Sequence, residues 1–271
     1  MNDLLREHAP ISSAAWKEID DEARRTLKVL LAARRLVDFN GPLGWSTSSV
    51  SLGLTDKLSP SVQEGVATKI RRVLPLIEMR VPFEVSREAL DSIGRGARDP
   101  DLDPVRNAAR SAAIAEDRAV FQGYAAAGIT GIFEASADQQ LTIPDKFEEY
   151  PDIVAEATNR LRSAGVNGPY GIALGPRCYT GLTRSTFRGV PVIDHVRELL
   201  DGPILWAPAA DGAVVVSLRG GDFELSVGQD FSVGYLDHTS TSVLLYLQES
   251  FTFRVLSPEA AVPLVYALPA A

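Results

Sequence analysis

The feature that most constrains this chain is its ending, where Gly228-Gln229-Asp230-Phe231-Ser232-Val233-Gly234-Tyr235 precedes the long run Val243–Val255. In that run Val243, Leu245, Leu247, Phe251, Phe253 and Val255 alternate with Leu244, Tyr246, Gln248, Ser250, Thr252 and Arg254. Period two is the signature of a β-strand with one buried face. A strand of this length needs neighbours on both sides, so the chain must build a sheet around it. Glu249 interrupts the apolar face and requires a partner once buried. Upstream, Arg219-Gly220-Gly221-Asp222-Phe223 reads as a turn between strands, since no phosphate-loop pattern surrounds it.

The remaining chain alternates helices and strands. Ser12 or Ser13 caps a helix to about Leu31, with Trp16, Ile19, Ala23, Leu27 and Leu30 along one stripe. A short β-like run, Arg34–Phe39, follows, and Asn40-Gly41-Pro42-Leu43-Gly44 breaks it. Residues 45–85 look extended. Ile77, Met79, Val81, Phe83 and Val85 make a second period-two strand, and Pro75 and Pro82 favour an edge position. Two strands joined by the polar stretch Thr55–Thr68 predict a protruding hairpin whose apolar face calls for a partner, such as a neighbouring subunit. Asp103 as N-cap and Pro104 at the first turn start a helix that continues to about Ala127-Gly128. Beyond it come a helix over Pro151–Ala164, strands at Tyr170–Leu174, Ile204–Trp206 and Ala213–Leu218, and helical segments at Pro176–Leu182 and Pro191–Leu200. That middle region reads as a compact α/β unit.

Composition narrows the function. With 35 acidic residues against 27 basic ones, the chain carries a formal charge of −8, which disfavours nucleic acid as the main partner. The single cysteine, Cys178, cannot make an intrachain disulfide and reads as a small packed residue, which fits a reducing compartment. No apolar run approaches the ~20 residues of a membrane helix, and Met1–Pro10 has no apolar core of a signal peptide. A cytoplasmic protein without membrane contact is expected.

No catalytic set emerges. His8, His195 and His238 are far apart, so neither a metal site nor a triad is expected, and His195 beside Asp194 and Ser185 reads as a structural hydrogen-bonding residue. The cluster Glu116-Asp117-Arg118 reads as a solvated or intersubunit ion pair. No enzyme activity and no cofactor is expected.

In order and spacing, the strings along this chain resemble the encapsulin shell proteins, once labelled linocin-type bacteriocins. They include Ala15-Trp16-Lys17-Glu18-Ile19-Asp20, Ala33-Arg34-Arg35-Leu36-Val37-Asp38, Glu116-Asp117-Arg118, Gly168-Pro169-Tyr170, His195-Val196, Trp206-Ala207-Pro208 and the glycine-punctuated ending. The resemblance implies an α+β fold of the phage-capsid (HK97) type. Its peripheral domain would take residues 1–45, 79–135 and 225–271, its extended loop 46–78, and its axial domain 136–224. It also implies a self-assembling icosahedral nanocompartment, on the order of sixty subunits or a multiple. The cargo enzyme inside, a dye-decolourising peroxidase or ferritin-like protein, would dock by a short C-terminal peptide. By position, the peptide would meet Leu27, Arg34, Leu36, Asp38, Phe231, Val233, Tyr235 and Leu245, with Arg34 and Asp38 fixing its polar register. A fivefold pore would be lined by Thr183, Arg184, Ser185, Thr186, Phe187, Arg188 and Gly189, a loop with two arginines and no acid, which suits anions. The competing expectations are a viral major capsid protein, for which no scaffolding segment precedes the first helix, and a secreted bacteriocin or protease.

Overall fold

A computed structural model describes residues 3–267. The outer ends of the expected peripheral domain, residues 1–2 and 268–271, lie outside the described residues.

The long run near the end of the chain is the strand Ser242–Val255, and it organises the first sheet. Helix α1 (Ser13–Leu30) begins where the Ser12 side chain accepts the Ala15 N–H, and ends at Leu31. After it comes a 3₁₀ turn, Ala33–Arg35, in place of the expected β-like run; only Asp38–Asn40 (β1) is extended. The cause is tertiary, because buried carboxylates draw in Arg34 and the amides before it. Strands β2 (Ser49–Lys57) and β3 (Lys69–Pro75) pair, among the described residues, only with each other and form the hairpin. Strand β4 (Ile77–Ser86) runs antiparallel along Ser242–Phe251 as an edge, which accommodates Pro82. Helix α2 (Arg87–Gly94) is capped by Ser86, and helix α3 (Asp103–Phe121) packs on α1 and on the sheet. Leu102 holds the N-cap position of α3 rather than Asp103, and the helix ends at Phe121, short of Gly128. Gly128, at φ +68°, instead closes the small turn Ala125–Ala127.

On the other side of Ser242–Val255 lie Ser232–His238 and Phe223–Val227, with β1 parallel to the latter. Gly234 is required there, because a Cβ would stand 2.2 Å from the Tyr246 ring. Val243, Leu245 and Leu247 close a core with Trp16, Ile19, Leu27 and Val105.

A second sheet has the order Ile204–Trp206, Tyr170–Leu174, Ala213–Ser217, Ala261–Val265, Leu141–Thr142. Every residue of Tyr170–Leu174 and Ala213–Ser217 is buried, as fits a sheet covered on both faces. Tyr150–Ser163, Pro176–Arg184 and Val192–Leu199 are its helices. Ala261–Val265, within the stretch 225–271 expected in the first unit, pairs with Ala213–Val216 of the second sheet. The chain thus returns to the middle unit after completing the first sheet.

Candidate functional site

The side chains converge on a groove of about 860 Å³ between α1 and the strand Ser232–His238. Ala23 and Leu27 of α1, with Leu31 at its C-cap, form one wall; Phe231, Val233 and Leu247 form the other. The helical spacing of the first set and the period two of the second aim both into the gap. The segment before α1 closes one end. The Leu4 carbonyl accepts the Tyr235 N–H at 2.9 Å, and Arg6 stacks 4.0 Å from the Trp16 ring centroid while pairing with Asp20 at 2.8 Å.

Beneath the groove lies a charge cluster. Arg34 donates through Nε and Nη2 to both oxygens of Glu116, at 2.9 and 2.6 Å, and through Nη1 to Asp230 at 2.9 Å. It also contacts the Glu249 carboxyl directly. The Glu116 and Glu249 side chains are 0 % exposed, whereas Asp230 is 43 % exposed. The guanidinium sits 5.0 Å from the ring centroids of both Phe39 and Phe231. Its acid partners hold Arg34 in the charged form despite burial. Asp117, one residue along α3, accepts the Ala32 and Ala33 N–H groups at 2.9 and 3.1 Å. Burial nevertheless pushes its carboxyl up to about 7. Glu116 and Asp117 are therefore internal partners of the turn after α1, not a solvated or intersubunit pair. An acid within the alanine-rich stripe of α3 was the available signal for this.

Four of the eight residues expected to meet a peptide line this groove: Leu27, Arg34, Phe231 and Val233. Tyr235 stands at its closed end, with its hydroxyl 2.5 Å from His238 Nδ1. The other three point elsewhere. Leu245 is buried in the core against α1 and α3, and Leu36 is buried towards the second sheet. Asp38 accepts the Gly221 N–H at 2.6 Å and so fixes the glycine turn. Arg34 is committed to internal acids, so it is a support of the groove rather than a free cation. Lys28 and Arg35, which also line the groove, were not singled out from the sequence.

The arginine loop is a tight hairpin. Helix Pro176–Arg184 leads through Ser185 to Thr186–Phe187, which pairs with Val190–Pro191. Arg188 (φ +52°) and Gly189 (φ +82°) make the turn, where glycine meets the left-handed requirement without strain. Thr183 bonds back into its own helix, and His195 Nε2 lies 3.3 Å from the Phe187 carbonyl oxygen, a structural contact. Cys178 is buried with its sulfur 3.0 Å from the Tyr266 hydroxyl. Among the described residues no acid–histidine–cysteine cluster has metal-binding geometry, and no helix is long and apolar enough to cross a membrane.

The model of the linocin M18 family, described as "Encapsulating protein for peroxidase", matches residues 1–252. The chain is 56% identical over 270 residues to the type 1 encapsulin shell protein of Rhodospirillum rubrum, covering 97% of this chain and 96% of that one. It belongs to the encapsulin shell protein family. The type 1 shell protein of Rhodococcus erythropolis is 47% identical over 264 residues, covering 97% of this chain and all of that one. Among solved structures, a virus-like particle from Pyrococcus furiosus aligns with a TM-score of 0.64 at 18% identity, over 92% of this chain and 98% of that one. Mycobacterium phage Bobi aligns at 0.57 and 17% identity, over 99% and 94%. The encapsulin fold is thus the α+β, phage-capsid-like fold of HK97 type, and the relatives named are shell proteins.

Proposed function

We propose that this encapsulin assembles into an icosahedral shell, on the order of sixty subunits or a multiple, around a cargo enzyme. The cargo docks through a short C-terminal peptide laid into the groove between α1 and Ser232–His238. The observation that carries the reading is that groove: Leu27, Phe231 and Val233 offer apolar seats in an extended cleft, the form in which a strand-like peptide is recognised. Leu245 packs behind its walls, in the core with Leu27, Val233 and Leu247. The family description favours a peroxidase as cargo; a ferritin-like protein is the other class that the sequence resemblance implies. We also assign the loop Thr183–Gly189 to a pore, where Arg184 and Arg188 favour anions. The shell concentrates its cargo and filters what reaches it.

Purification from the native host, with imaging of the particles and mass spectrometry of their contents, tests the proposal. Closed shells holding an enzyme with an extended C-terminal tail support it. Particles filled with genomic nucleic acid would favour a viral capsid and overturn it.

A further inference from the structure

The cluster beneath the groove has too many acids for its one cation. Arg34 faces Glu116, Glu249 and Asp230, and two of these carboxyls are wholly buried. Asp117 does not add to the demand on Arg34, since two backbone N–H groups satisfy it. Taking a second carboxylate out of water beside the first, with one guanidinium between them, costs more than their shared attraction returns. Such pairs resolve the conflict by keeping one proton. The geometry says which acid keeps it. Both Glu116 oxygens accept N–H donors from Arg34, whereas Glu249 uses only Oε1. Glu249 Oε2 is buried with no donor pointing at it, an expensive state for an anionic oxygen and a natural one for an O–H. The neighbour able to share that proton is Glu116, which sits on the same guanidinium and is hydrogen-bonded to the Glu249 side chain.

We propose that Glu249 carries a proton that it shares with Glu116, making the cluster a proton-dependent latch that holds Arg34, and through it the Phe231 wall of the groove. The coupling to the wall is direct. Arg34 stacks on Phe231 and binds Asp230, whose Oδ1 also accepts the Phe231 N–H at 2.8 Å. When the proton leaves, two buried carboxylates compete for the guanidinium. Asp230, the partly solvated partner, is then the one released. Burial and the neighbouring Glu116 both drive the Glu249 carboxyl well above its ordinary range.

The charges around Glu249 are accounted for element by element. The turn after α1 supplies Arg34, and α3 supplies Glu116 and Asp117. The segment leading into Ser232–His238 supplies Asp230. On β4, Met79 is the register partner of Glu249. Its neighbours Glu78 and Arg80 occupy the opposite face and pair with each other at 2.9 Å. Arg118 of α3 lines the adjoining cavity beside Met79 and Phe251.

The test uses empty shells of the full chain, so its result does not depend on the cargo reading. Infrared spectra in D2O, taken above the Asp117 transition near pH 7, report protonated carboxyls directly. The expected spectrum has a carbonyl band of one carboxylic acid per subunit that persists in Asp117→Asn and disappears in Glu249→Gln. Glu116→Gln should abolish the same band, because Glu249 then ionises to become the sole buried partner of Arg34. A purely structural role for Glu116 would leave the band in place. Absence of the band in the wild-type shell overturns the proposal without any variant, as does a band that survives in Glu249→Gln. Amide exchange over residues 229–235, corrected for intrinsic rate, reads the latch itself. It should accelerate at alkaline pH in the wild type and stay level in Glu249→Gln. Equal acceleration in both would sever the proton from the groove wall.

Discussion

Arg34 and Glu249 lie 215 residues apart in sequence and in direct contact in the fold. That contact ties the turn after α1 to the longest strand of the sheet, with Glu116 of α3 on the same guanidinium. Removing the cation strands two buried carboxyls, the situation that makes a broken buried pair cost about 3–5 kcal/mol. Arg34→Ala should therefore lower subunit stability by that amount. Chemical or thermal melting of the purified protein checks it; a loss below about 1 kcal/mol, typical of a surface pair, would show that the cluster is solvated.

Asp117 gives a second stability prediction, with a sign. Its ordinary value of 3.8 rises to about 7 in the fold, with burial as the main cause. Between those values the unfolded chain has released the proton and the folded chain still holds it. The folded state then binds more protons, so stability is greatest at the acid end and falls as pH rises through about 7. Asp117→Asn should flatten this part of the melting profile. It also leaves one of the Ala32 and Ala33 N–H groups without its acceptor, costing about 1–3 kcal/mol at every pH. A variant with an unchanged pH slope would rule out Asp117 as its source.

These two sites also mark where sequence patterning stops being informative. Period two in Val243–Val255 and in Ile77–Val85 identified both strands, and the proline positions correctly placed the second at an edge. Leu27, Arg34, Phe231 and Val233 were grouped by the family resemblance, and spacing accounts only for Phe231 and Val233 facing one way. Spacing gives a face, however, and not what covers that face. Leu245 belongs to the same period-two pattern and is sealed under α1 and α3. Glu116 and Asp117 looked like surface charge because charged residues on helices usually are; their partners lie 82 to 85 residues away in the chain. Ala261–Val265 carries no local sign of its destination either, since its pairing with Ala213–Val216 is decided by the second sheet.

The groove reading separates two aromatic or aliphatic positions that the sequence treated alike. Phe231 is partly exposed at the groove wall, whereas Leu245 is fully buried. Phe231→Asp should leave shells assembled while cargo is lost from them, because the new charge reaches water yet spoils an apolar seat. Leu245→Asp should fail to give folded subunits, since an unpaired charge in that core costs several kcal/mol. Imaging and co-purification from the native host distinguish the two. Cargo retained at the wild-type level by Phe231→Asp shells would remove this wall from the docking site.

The hairpin offers the sharpest separation of folding from assembly. Strands β2 and β3 pair with each other and with no other strand among the described residues, and most of their side chains are exposed. Ile70 and Val73 are about half exposed, and Val62 near the tip is 89% exposed. A lone two-stranded ribbon is marginal in water, so the prediction for an apolar hairpin this open is that contact with another copy completes it. Ile70→Asp and Val73→Asp touch little inside their own subunit and should shift its intrinsic stability by less than about 0.5 kcal/mol, as surface substitutions usually do. In a closed symmetric shell the same charge is buried at every equivalent contact, so assembly should fail. Sedimentation should then show a folded monomer or small oligomer in place of the particle. Particles of unchanged size and melting behaviour would exclude the hairpin from the intersubunit contact.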